Sequence, residues 1–335
     1  MEINIRRIKN EIKIFLLATF LITYGMGIVM LMVYKRLDGN ASAFALVQML
    51  HPALVVIGIK IYYEKDNIKK GLMDFFKVYI IFTILSTMTL MIGIFVFPKY
   101  VEIVLGILVC IISIITFTMI MSNKDNCFEW INMVVEKNIN VVMKIAVLFL
   151  GIYPFRFVLY AIFSGDISGI DATQILSKIL FSPITIFFGM FSFILFFGEE
   201  FGWRGYLQPR LQVLLGKKLG VIILGFIWGI WHLPLCFMLY SPESPIHCVL
   251  LHVFYCILMG IFMGYAYMKS GNLWSAIIIH LINNGMAESS VAIGGAITLN
   301  DLLLGIIINA IVFIPFLFTK EYKTVESGEE LWLGI

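Results

Sequence analysis

The chain has 335 residues, of which 61% are hydrophobic and only 13% are charged. Soluble domains contain about 45–50% apolar and about 25% charged residues, so this composition excludes an ordinary soluble protein. The formal net charge of +3 is too small to indicate a nucleic-acid partner.

Ten apolar runs of about 20 residues follow one another along the chain. A helix of that length crosses a hydrocarbon core about 30 Å thick, because each residue adds about 1.5 Å. The runs lie near residues 14–34, 43–62, 77–98, 102–122, 142–163, 177–200, 219–240, 246–268, 272–288 and 300–319. We therefore predict an all-α fold, a polytopic membrane helical bundle of about ten transmembrane helices.

The first run follows a basic segment that contains Arg6, Arg7, Lys9 and Lys13. Such a start is typical of a signal peptide, but no small-residue cleavage site comes after the run and nine further runs follow. We therefore expect the first run to remain in the protein as a membrane anchor.

The distribution of basic residues predicts the orientation, because cytoplasmic loops retain an excess of Lys and Arg. With the N-terminus inside, 19 of the 24 Lys and Arg residues are cytoplasmic, four are outside, and one, Arg156, lies within a span. Both termini are therefore predicted to be cytoplasmic.

The five cysteines form no CxxC pair and no disulfide framework. Most of them lie within apolar runs, where we interpret them as small apolar residues. They are Cys110, Cys127, Cys236, Cys248 and Cys256.

Ionisable residues inside membrane spans are costly, so each one suggests a functional site. In this chain they gather in the last 40%, at residues 198–204, 228–232 and 280–284. Glu200 and Arg204 are four residues apart, which places them on one helix face and predicts an ion pair. Glu199 is rotated by about 100° from Glu200, so it is the carboxylate that remains to act as a general base.

Two later segments carry histidines. His232 ends an aromatic segment that begins at Trp228, and His280 lies four residues before Asn284 on a shared helix face. Asn284 can orient the imidazole, or both side chains can donate hydrogen bonds to an oxyanion.

Each segment also has a structural interpretation. A Glu-Glu pair at a helix end is often an interfacial charge cluster, and a lone intramembrane histidine is often a structural hydrogen bonder. The occurrence of all three segments together favours a functional role. The other histidines, His51, His247 and His252, have no acid or amide at helical spacing, so a structural role is predicted for them.

The three segments, in this order, resemble the motifs of the CAAX-processing and bacteriocin-processing intramembrane endopeptidases, the type II CAAX protease (CPBP or Abi) family. The patterns are Glu-Glu-x-x-x-Arg at 199–204, aromatic-x-x-x-His at 228–232 and His-x-x-x-Asn at 280–284. The resemblance covers about residues 195–290. One departure is Trp228, where the family pattern commonly has Phe, although an aromatic ring is retained.

The resemblance implies hydrolysis of a peptide bond within the membrane. Glu199 and His232 would activate a water molecule, and His280 with Asn284 would stabilise the oxyanion.

The other motif residues would have supporting roles. Glu200 and Arg204 would hold the geometry of the site, and the aromatic rings of Trp203 and Trp228 would line the substrate pocket.

Family members are also described as metalloproteases, which leaves zinc as an open possibility for the cofactor. Glu199, His232 and His280 would then be the ligands, because two His and one Glu with an open fourth position form a reasonable catalytic zinc set. The usual HExxH zinc helix is absent, as are the GxGD and GxSG signatures of other intramembrane proteases.

The resemblance divides the chain into three stretches. Residues 1–175 are N-terminal transmembrane helices of unassigned role, residues 176–290 are core helices of the CAAX-protease type, and residues 291–335 are the last transmembrane helix and a cytoplasmic tail. No Gly/Ser linker, low-complexity tract or clear internal repeat separates them.

Two other functions remain open from the sequence. Ten spans with buried ionisable residues also suit a transporter, although the polar residues lie towards the cytoplasmic half and no broken spans recur symmetrically. A catalytically silent member of the same family, acting in immunity or as a scaffold, is the third possibility. The intact Glu199, His232 and His280 argue against it.

The predicted partners are the lipid bilayer and a membrane-associated protein or peptide substrate. Prenylated CaaX proteins fit the eukaryotic branch of the family, whereas leader peptides, pheromones or bacteriocins fit a bacterial or archaeal member. The Ile- and Lys-rich composition favours the second group, which predicts an integral protein of a bacterial or archaeal plasma membrane.

Two further features lie outside the motifs. Residues 205–216 alternate leucines with Gln208, Arg210 and Gln212, as in an interfacial amphipathic helix, and an ordinary cytoplasmic loop is the alternative. Arg156, inside the fifth span, either pairs with Glu288 or extends to the outer headgroups.

Overall fold

The computed structural model describes residues 5–34, 41–122, 126–165, 172–287 and 295–323, and all regular secondary structure within them is helical. The predicted all-α fold class is therefore confirmed. The α-helices are α1 (Ile5–Val33), α2 (Ser42–Gln48), α3 (His51–Glu64), α4 (Lys70–Val96), α5 (Val101–Met121), α6 (Ile139–Ser164), α7 (Ala172–Gly189), α8 (Phe193–Glu200), α9 (Gln208–Leu215), α10 (Lys217–Trp231), α11 (Leu233–Leu235), α12 (Pro245–Ser270), α13 (Leu273–Ala287) and α14 (Leu299–Phe313).

Shorter helical segments extend or connect these helices. Two are π-helical, Phe201–Leu207 and Cys236–Tyr240. The 3₁₀ segments are Lys65–Asn67, Cys127–Ile131, Met190–Ser192, Ile314–Phe318 and Lys320–Tyr322.

Eight helical segments of the described chain are long and apolar enough to cross a membrane. A ninth is counted when α10 and the bent segment Leu233–Tyr240 form one span, with an angle of 46° between them. The remaining predicted span, 272–288, corresponds to α13. The described residues of α13, Leu273–Ala287, form a continuous apolar helix. The predicted number of about ten spans is therefore roughly consistent with the structure.

Several predicted spans have internal breaks. The run 43–62 is divided between α2 and α3, and Pro52 lies at the start of α3, where a missing N–H is tolerated. The run 177–200 is divided by the 3₁₀ turn at Met190–Ser192. Its predicted end at residue 200 is wrong, because an apolar helical segment continues to Leu215.

Apolar side chains cover the outer surfaces of the helices. Leu21 and Met32 of α1 are each 77% exposed, and large exposed apolar residues also occur on α4, α5, α6 and α7. A water-soluble protein rarely exposes so much apolar surface, whereas lipid tails solvate it. The exposure therefore agrees with an integral membrane protein.

The described chain divides into two compact units. The first contains the described residues up to Val135 together with Met190–Arg210. The second contains Glu136–Gly189 and the described residues from Leu211 onwards. The Glu-Glu-x-x-x-Arg motif therefore belongs to the first unit, and both histidine motifs belong to the second.

In the first unit, two glycines bring α8 and the following π-helical segment close to the start of α3. A Cβ atom added to Gly198 would overlap the carbonyl oxygen of Met49, and one added to Gly202 would overlap Pro52. Glycines four residues apart share a helix face and allow close backbone approach in membrane proteins. This packing holds the segment that carries Glu199 and Glu200.

A buried acid, Glu11 of α1, organises the polar side of the first unit. It accepts hydrogen bonds from Arg210 Nε at 2.8 Å, from Arg7 Nε at 2.6 Å and from the Tyr206 hydroxyl at 3.3 Å. Arg7 also binds Glu64 of α3 at 2.6 Å. The network therefore ties α1, α3 and the start of α9 together.

This network corrects the predicted interfacial character of residues 205–216. The segment is helical, so the loop alternative is wrong, but its polar residues do not form a separate exposed face. Gln208 and Arg210 are buried together with Leu207 and Leu211, while Leu215 is exposed. Arg210 is buried because Glu11 neutralises it within the unit.

In the second unit, α10 packs closely against α12. A Cβ atom added to Gly225 would lie 2.5 Å from the Ile257 Cα atom, and one added to Gly229 would lie 2.7 Å from the Val253 Cα atom. The two glycines again stand four residues apart. They allow the backbone of α10 to approach α12 just before His232.

The cytoplasmic end predicted for α12 is fixed by hydrogen bonds within the second unit. Gly271 ends α12 with a φ of 59°, a left-handed conformation that glycine adopts at little cost. Next to it, the Asn272 side-chain amide donates to the Lys137 carbonyl at 2.7 Å, and the Asn138 amide donates to the Ser270 carbonyl at 2.8 Å. These bonds join the beginning of α6 to the turn between α12 and α13.

Candidate functional site

The Glu-Glu-x-x-x-Arg motif lies at the end of α8 and in the π-helical segment that follows. Arg204 Nη1 lies 3.2 Å from Glu200 Oε1 and 3.1 Å from Glu200 Oε2, and neither side chain is accessible to solvent. The four-residue spacing predicted this ion pair, and the structure contains it. Because both charges are buried, their mutual neutralisation is required.

Glu199 is also buried, with 2% of its surface exposed. It interacts electrostatically with Tyr79 of α4, whose hydroxyl donates a hydrogen bond to the Leu50 carbonyl at 3.0 Å. Tyr79 is a neighbour that helical spacing within one segment does not indicate, because α4 lies more than 100 residues earlier in the chain. The carboxylate of Glu199 therefore lies near Tyr79 of α4.

The π-helical segment Phe201–Leu207 begins directly after Glu200. Such segments are rare and occur mostly as single turns inside α-helices, frequently at functional sites. The wider turn alters the rotation of the residues that follow the two glutamates. The α-helical period of 3.6 residues therefore does not apply from Phe201 to Leu207.

Trp203 lies within the same segment but does not face an open pocket. Its side chain is fully buried, and its ring meets the ring of Phe15 of α1 edge-on, with 5.5 Å between centroids. This position supports a packing role within the first unit. The predicted role of Trp203 in lining a substrate pocket remains a prediction.

In the second unit, His232 lies where α10 ends and the chain bends before Pro234. The ring nitrogen Nδ1 lies 2.9 Å from the carbonyl oxygen of Trp228. A carbonyl only accepts hydrogen bonds, so Nδ1 carries the proton and donates it. The lone pair of the His232 ring is therefore on Nε2.

Trp228 joins the two histidine motifs. Its ring lies 5.8 Å from that of His232 and 5.7 Å from that of His280, both in edge-on orientations. The aromatic position of the second motif thus positions both imidazoles. His280 itself is buried in α13.

Asn284 is connected to residues outside the motifs. Its Oδ1 accepts a hydrogen bond from Asn283 Nδ2 at 3.2 Å, and Asn283 Oδ1 in turn accepts a short hydrogen bond from the Tyr255 hydroxyl. Because the Asn284 oxygen faces Asn283, its amide nitrogen, a hydrogen-bond donor, faces the other way. That orientation suits a donor to an oxyanion.

The same chain of contacts reaches Arg156 of α6. Its guanidinium lies 5.6 Å from the centroid of the Tyr255 ring, within the range of a cation–π interaction. The partner proposed from the sequence, Glu288, lies outside the described residues. Tyr255 is thus the described neighbour that accounts for Arg156 inside the membrane.

The structure also brings together residues that the motifs do not include. The ring of His252 in α12 lies 4.5 Å from that of His232. The potential ligand atoms of His232, His252 and Cys256 all lie within 4.8 Å of one another. The sequence predicts a structural role for His252, because no acid or amide stands at helical spacing. The sequence signal for a metal-ligand role of His252 is Cys256, four residues later.

Together, the fold and the buried ionisable residues define the class of this protein. It is an all-helical integral membrane protein with ionisable side chains buried among its helices.

Residues 181–286 match the family model described as type II CAAX prenyl endopeptidase Rce1-like. All three motifs lie within the matched segment, so the predicted resemblance is confirmed. No curated protein and no solved structure matches the chain significantly. At the family level, the match indicates a CAAX-type protease.

Proposed function

We propose that this protein is an intramembrane endopeptidase that hydrolyses a peptide bond of a membrane-associated protein or peptide. The observation that carries the proposal is the buried Glu199 beside a neutralised Glu200–Arg204 ion pair, within a segment that matches the CAAX endopeptidase family. Arg204 satisfies the charge of Glu200, so Glu199 is the carboxylate of the motif that is assigned to chemistry.

In the proposed reaction, Glu199 accepts a proton from a water molecule whose oxygen attacks the scissile carbonyl carbon. His232 assists through Nε2, the nitrogen that holds the ring lone pair. The carbonyl oxygen becomes an oxyanion, which His280 and the amide nitrogen of Asn284 stabilise. The carbon–nitrogen bond then breaks, and Glu199 returns the proton to the leaving amine.

Trp228 is the residue that we assign to the wall of the substrate pocket. It contacts the rings of both histidines, so a larger or smaller side chain would move both imidazoles. Zinc bound by Glu199, His232 and His280, as weighed from the sequence, remains an alternative prediction for the activation of water.

Glu199→Gln provides the test. The substitution preserves the shape of the side chain and removes the base, so cleavage should fall by about 10²-fold or more. The purified protein in detergent is incubated with a peptide library that includes prenylated CaaX peptides and unprenylated leader peptides, and cleavage is followed by mass spectrometry. Glu102→Gln, at the exposed start of α5, is the matched control and should retain full activity.

Two results would contradict the proposal. Cleavage by Glu199→Gln at the wild-type rate would show that this carboxylate is not the base. A folded wild-type protein that cleaves no member of the library would remove the endopeptidase assignment and favour a transporter.

A further inference from the structure

Three side chains of the second unit form a cluster with the composition of a transition-metal site. They are His232 at the end of α10 and His252 and Cys256 of α12. Their potential ligand atoms lie within 4.8 Å of one another, and the two imidazole rings are 4.5 Å apart at an angle of 62°. His232 and Cys256 are buried, and His252 is half-buried.

The backbone explains why these residues meet. His252 and Cys256 are four residues apart on α12, so they project from one face of the helix. The same spacing places two zinc ligands on one face in HExxH helices. His232 joins them because Gly225 and Gly229 allow α10 to approach the backbone of α12 closely.

The hydrogen bonds of the histidines also agree with metal binding. His232 donates its Nδ1 proton to the Trp228 carbonyl, which leaves the lone pair on Nε2. Metal-binding histidines usually make such a bond through the second ring nitrogen, because it fixes the tautomer and the ring orientation. In His252, Nε2 is buried and has no hydrogen-bond partner among the described residues, an arrangement that a bound cation would satisfy.

We propose that His232, His252 and Cys256 bind a zinc-like transition-metal ion. Imidazole and thiolate ligands select Zn²⁺ and similar ions over Mg²⁺ or Ca²⁺, which prefer oxygen. Three protein ligands leave a fourth tetrahedral position for water, as in catalytic zinc sites. This ligand set shares only His232 with the set Glu199, His232 and His280. The proposal does not require the protein to be a peptidase, but a metal bound at His232 Nε2 would occupy the nitrogen that the proposed reaction uses.

The geometry requires only a small adjustment. Zn–N distances of about 2.1 Å and Zn–S distances of about 2.3 Å place ligand atoms about 3.3–3.8 Å apart around a tetrahedral ion. The present separations, at most 4.8 Å, would have to close by up to about 1–1.5 Å through side-chain rotation. The ring of Trp231, 4.7 Å from that of His232, limits these rotations on one side.

The charge of the bound ion determines the protonation states of Cys256 and of the metal-bound water. Binding of the metal releases the thiol proton of Cys256 to solvent, because the thiolate is the form that coordinates. A divalent ion with one thiolate and two neutral imidazoles has a net charge of +1. Loss of a proton from the bound water would neutralise it, which favours binding in an apolar environment.

The test measures metal binding directly in the full-length protein in detergent. The metal-free protein is titrated with Zn²⁺, with Co²⁺ as a spectroscopic substitute and with Mg²⁺ as a hard-ion control. We expect one Zn²⁺ per chain, a thiolate-to-Co²⁺ charge-transfer band and no Mg²⁺ binding. Loss of outer-sphere partners already weakens metal sites about 10–100-fold, so Cys256→Ser and His252→Ala should each weaken binding at least about 100-fold.

Matched substitutions separate this site from other thiols and imidazoles. Cys110→Ser lies on α5 in the other unit, and His247→Gln lies on α12 five residues before His252. Both should retain wild-type affinity. Cys236→Ser is also informative, because its thiol lies next to that of Cys248 and near that of Cys256. Loss of the Co²⁺ band in Cys236→Ser together with its retention in Cys256→Ser would overturn the assignment.

A measurement on the unmutated protein keeps the proposal testable if a variant does not fold. X-ray absorption at the zinc edge should show one sulfur ligand at about 2.3 Å and nitrogen ligands at about 2.0–2.1 Å. A folded wild-type protein that binds no Zn²⁺, or a zinc shell without sulfur, would overturn the proposal. Neither result would bear on peptide cleavage, which is measured separately with Glu199→Gln.

Discussion

Glu200 and Arg204 form a buried ion pair in which each charge requires the other. Arg204→Ala leaves a carboxylate without its counter-ion, and breaking a buried pair in this way typically costs about 3–5 kcal/mol. We expect the double substitution Glu200→Gln with Arg204→Ala to lower the free energy of unfolding less than Arg204→Ala alone. Unfolding of the four proteins in a detergent titration measures this coupling.

An exposed pair provides the control for that cycle. Lys77 and Asp74 of α4 lie 3.2 Å apart with both side chains largely exposed, so their coupling should not exceed about 0.5 kcal/mol. Strictly additive losses at Glu200 and Arg204 would show that the ion pair does not contribute to the folded state.

Arg156 provides a second prediction at the residue level. If its cation–π contact with Tyr255 stabilises the guanidinium inside the membrane, Arg156→Gln and Tyr255→Leu should be coupled by about 0.5–2 kcal/mol in the free energy of unfolding. Tyr265→Leu, ten residues after Tyr255 and therefore about 15 Å further along α12, is the control and should not couple to Arg156→Gln. An uncoupled Arg156 and Tyr255 pair would favour extension of Arg156 towards the headgroups.

At the level of residues, the sequence predicts contacts between side chains on one helical turn but not contacts between helices that are far apart along the chain. The pairing of Glu200 with Arg204 could be predicted, because both residues lie on one helical turn. Tyr79 beside Glu199 could not, since their proximity depends on packing between α4 and α8. His252 could have been noticed from its four-residue spacing to Cys256, but its approach to His232 depends on two helices meeting.

At the level of elements, the glycine pairs explain how the motif helices are held. Gly225→Ala and Gly229→Ala would each force α10 away from α12, and overpacking of this kind typically costs about 1–3 kcal/mol. Their unfolding midpoints in detergent should therefore fall. Gly151→Ala in α6 is the control, because a Cβ atom there meets open space, and it should be neutral or slightly stabilising.

The same substitutions test the position of His232. Gly229→Ala lies closest to it along α10, so it should also weaken Zn²⁺ binding at the His232, His252 and Cys256 site. A stable Gly229→Ala protein with an unchanged unfolding midpoint would show that close packing of α10 on α12 is not required for stability.

Hydropathy predicted the existence of the helices better than their internal form. Apolar runs indicate where helices lie, because burial in lipid depends on composition over about 20 residues. They do not indicate where the backbone hydrogen-bonding pattern changes from α-helical to 3₁₀ or π. The 3₁₀ turn at Met190–Ser192 and the π-helical turns after Glu200 and Leu235 arise from local hydrogen bonding and packing, for which average hydropathy contains no signal.

For the whole molecule, the helices before residue 136 acquire a role that the sequence leaves unassigned. Within the first unit, α1 binds Arg210 through Glu11, and the region from Met49 to Pro52 packs against Gly198 and Gly202. The family match begins only at residue 181. The N-terminal helices therefore supply part of the structural support of the Glu199 segment.

The orientation in the membrane remains a prediction from charge, and it can be tested with single cysteines. Lys99, between α4 and α5, is predicted to lie outside, and Glu136, before α6, is predicted to lie in the cytoplasm; both side chains are exposed. In intact cells, a membrane-impermeant maleimide should label Lys99→Cys, and it should label Glu136→Cys only after permeabilisation. The unsubstituted protein controls for its native cysteines. The reverse labelling pattern would contradict the positive-inside assignment, and with it the placement of both termini in the cytoplasm.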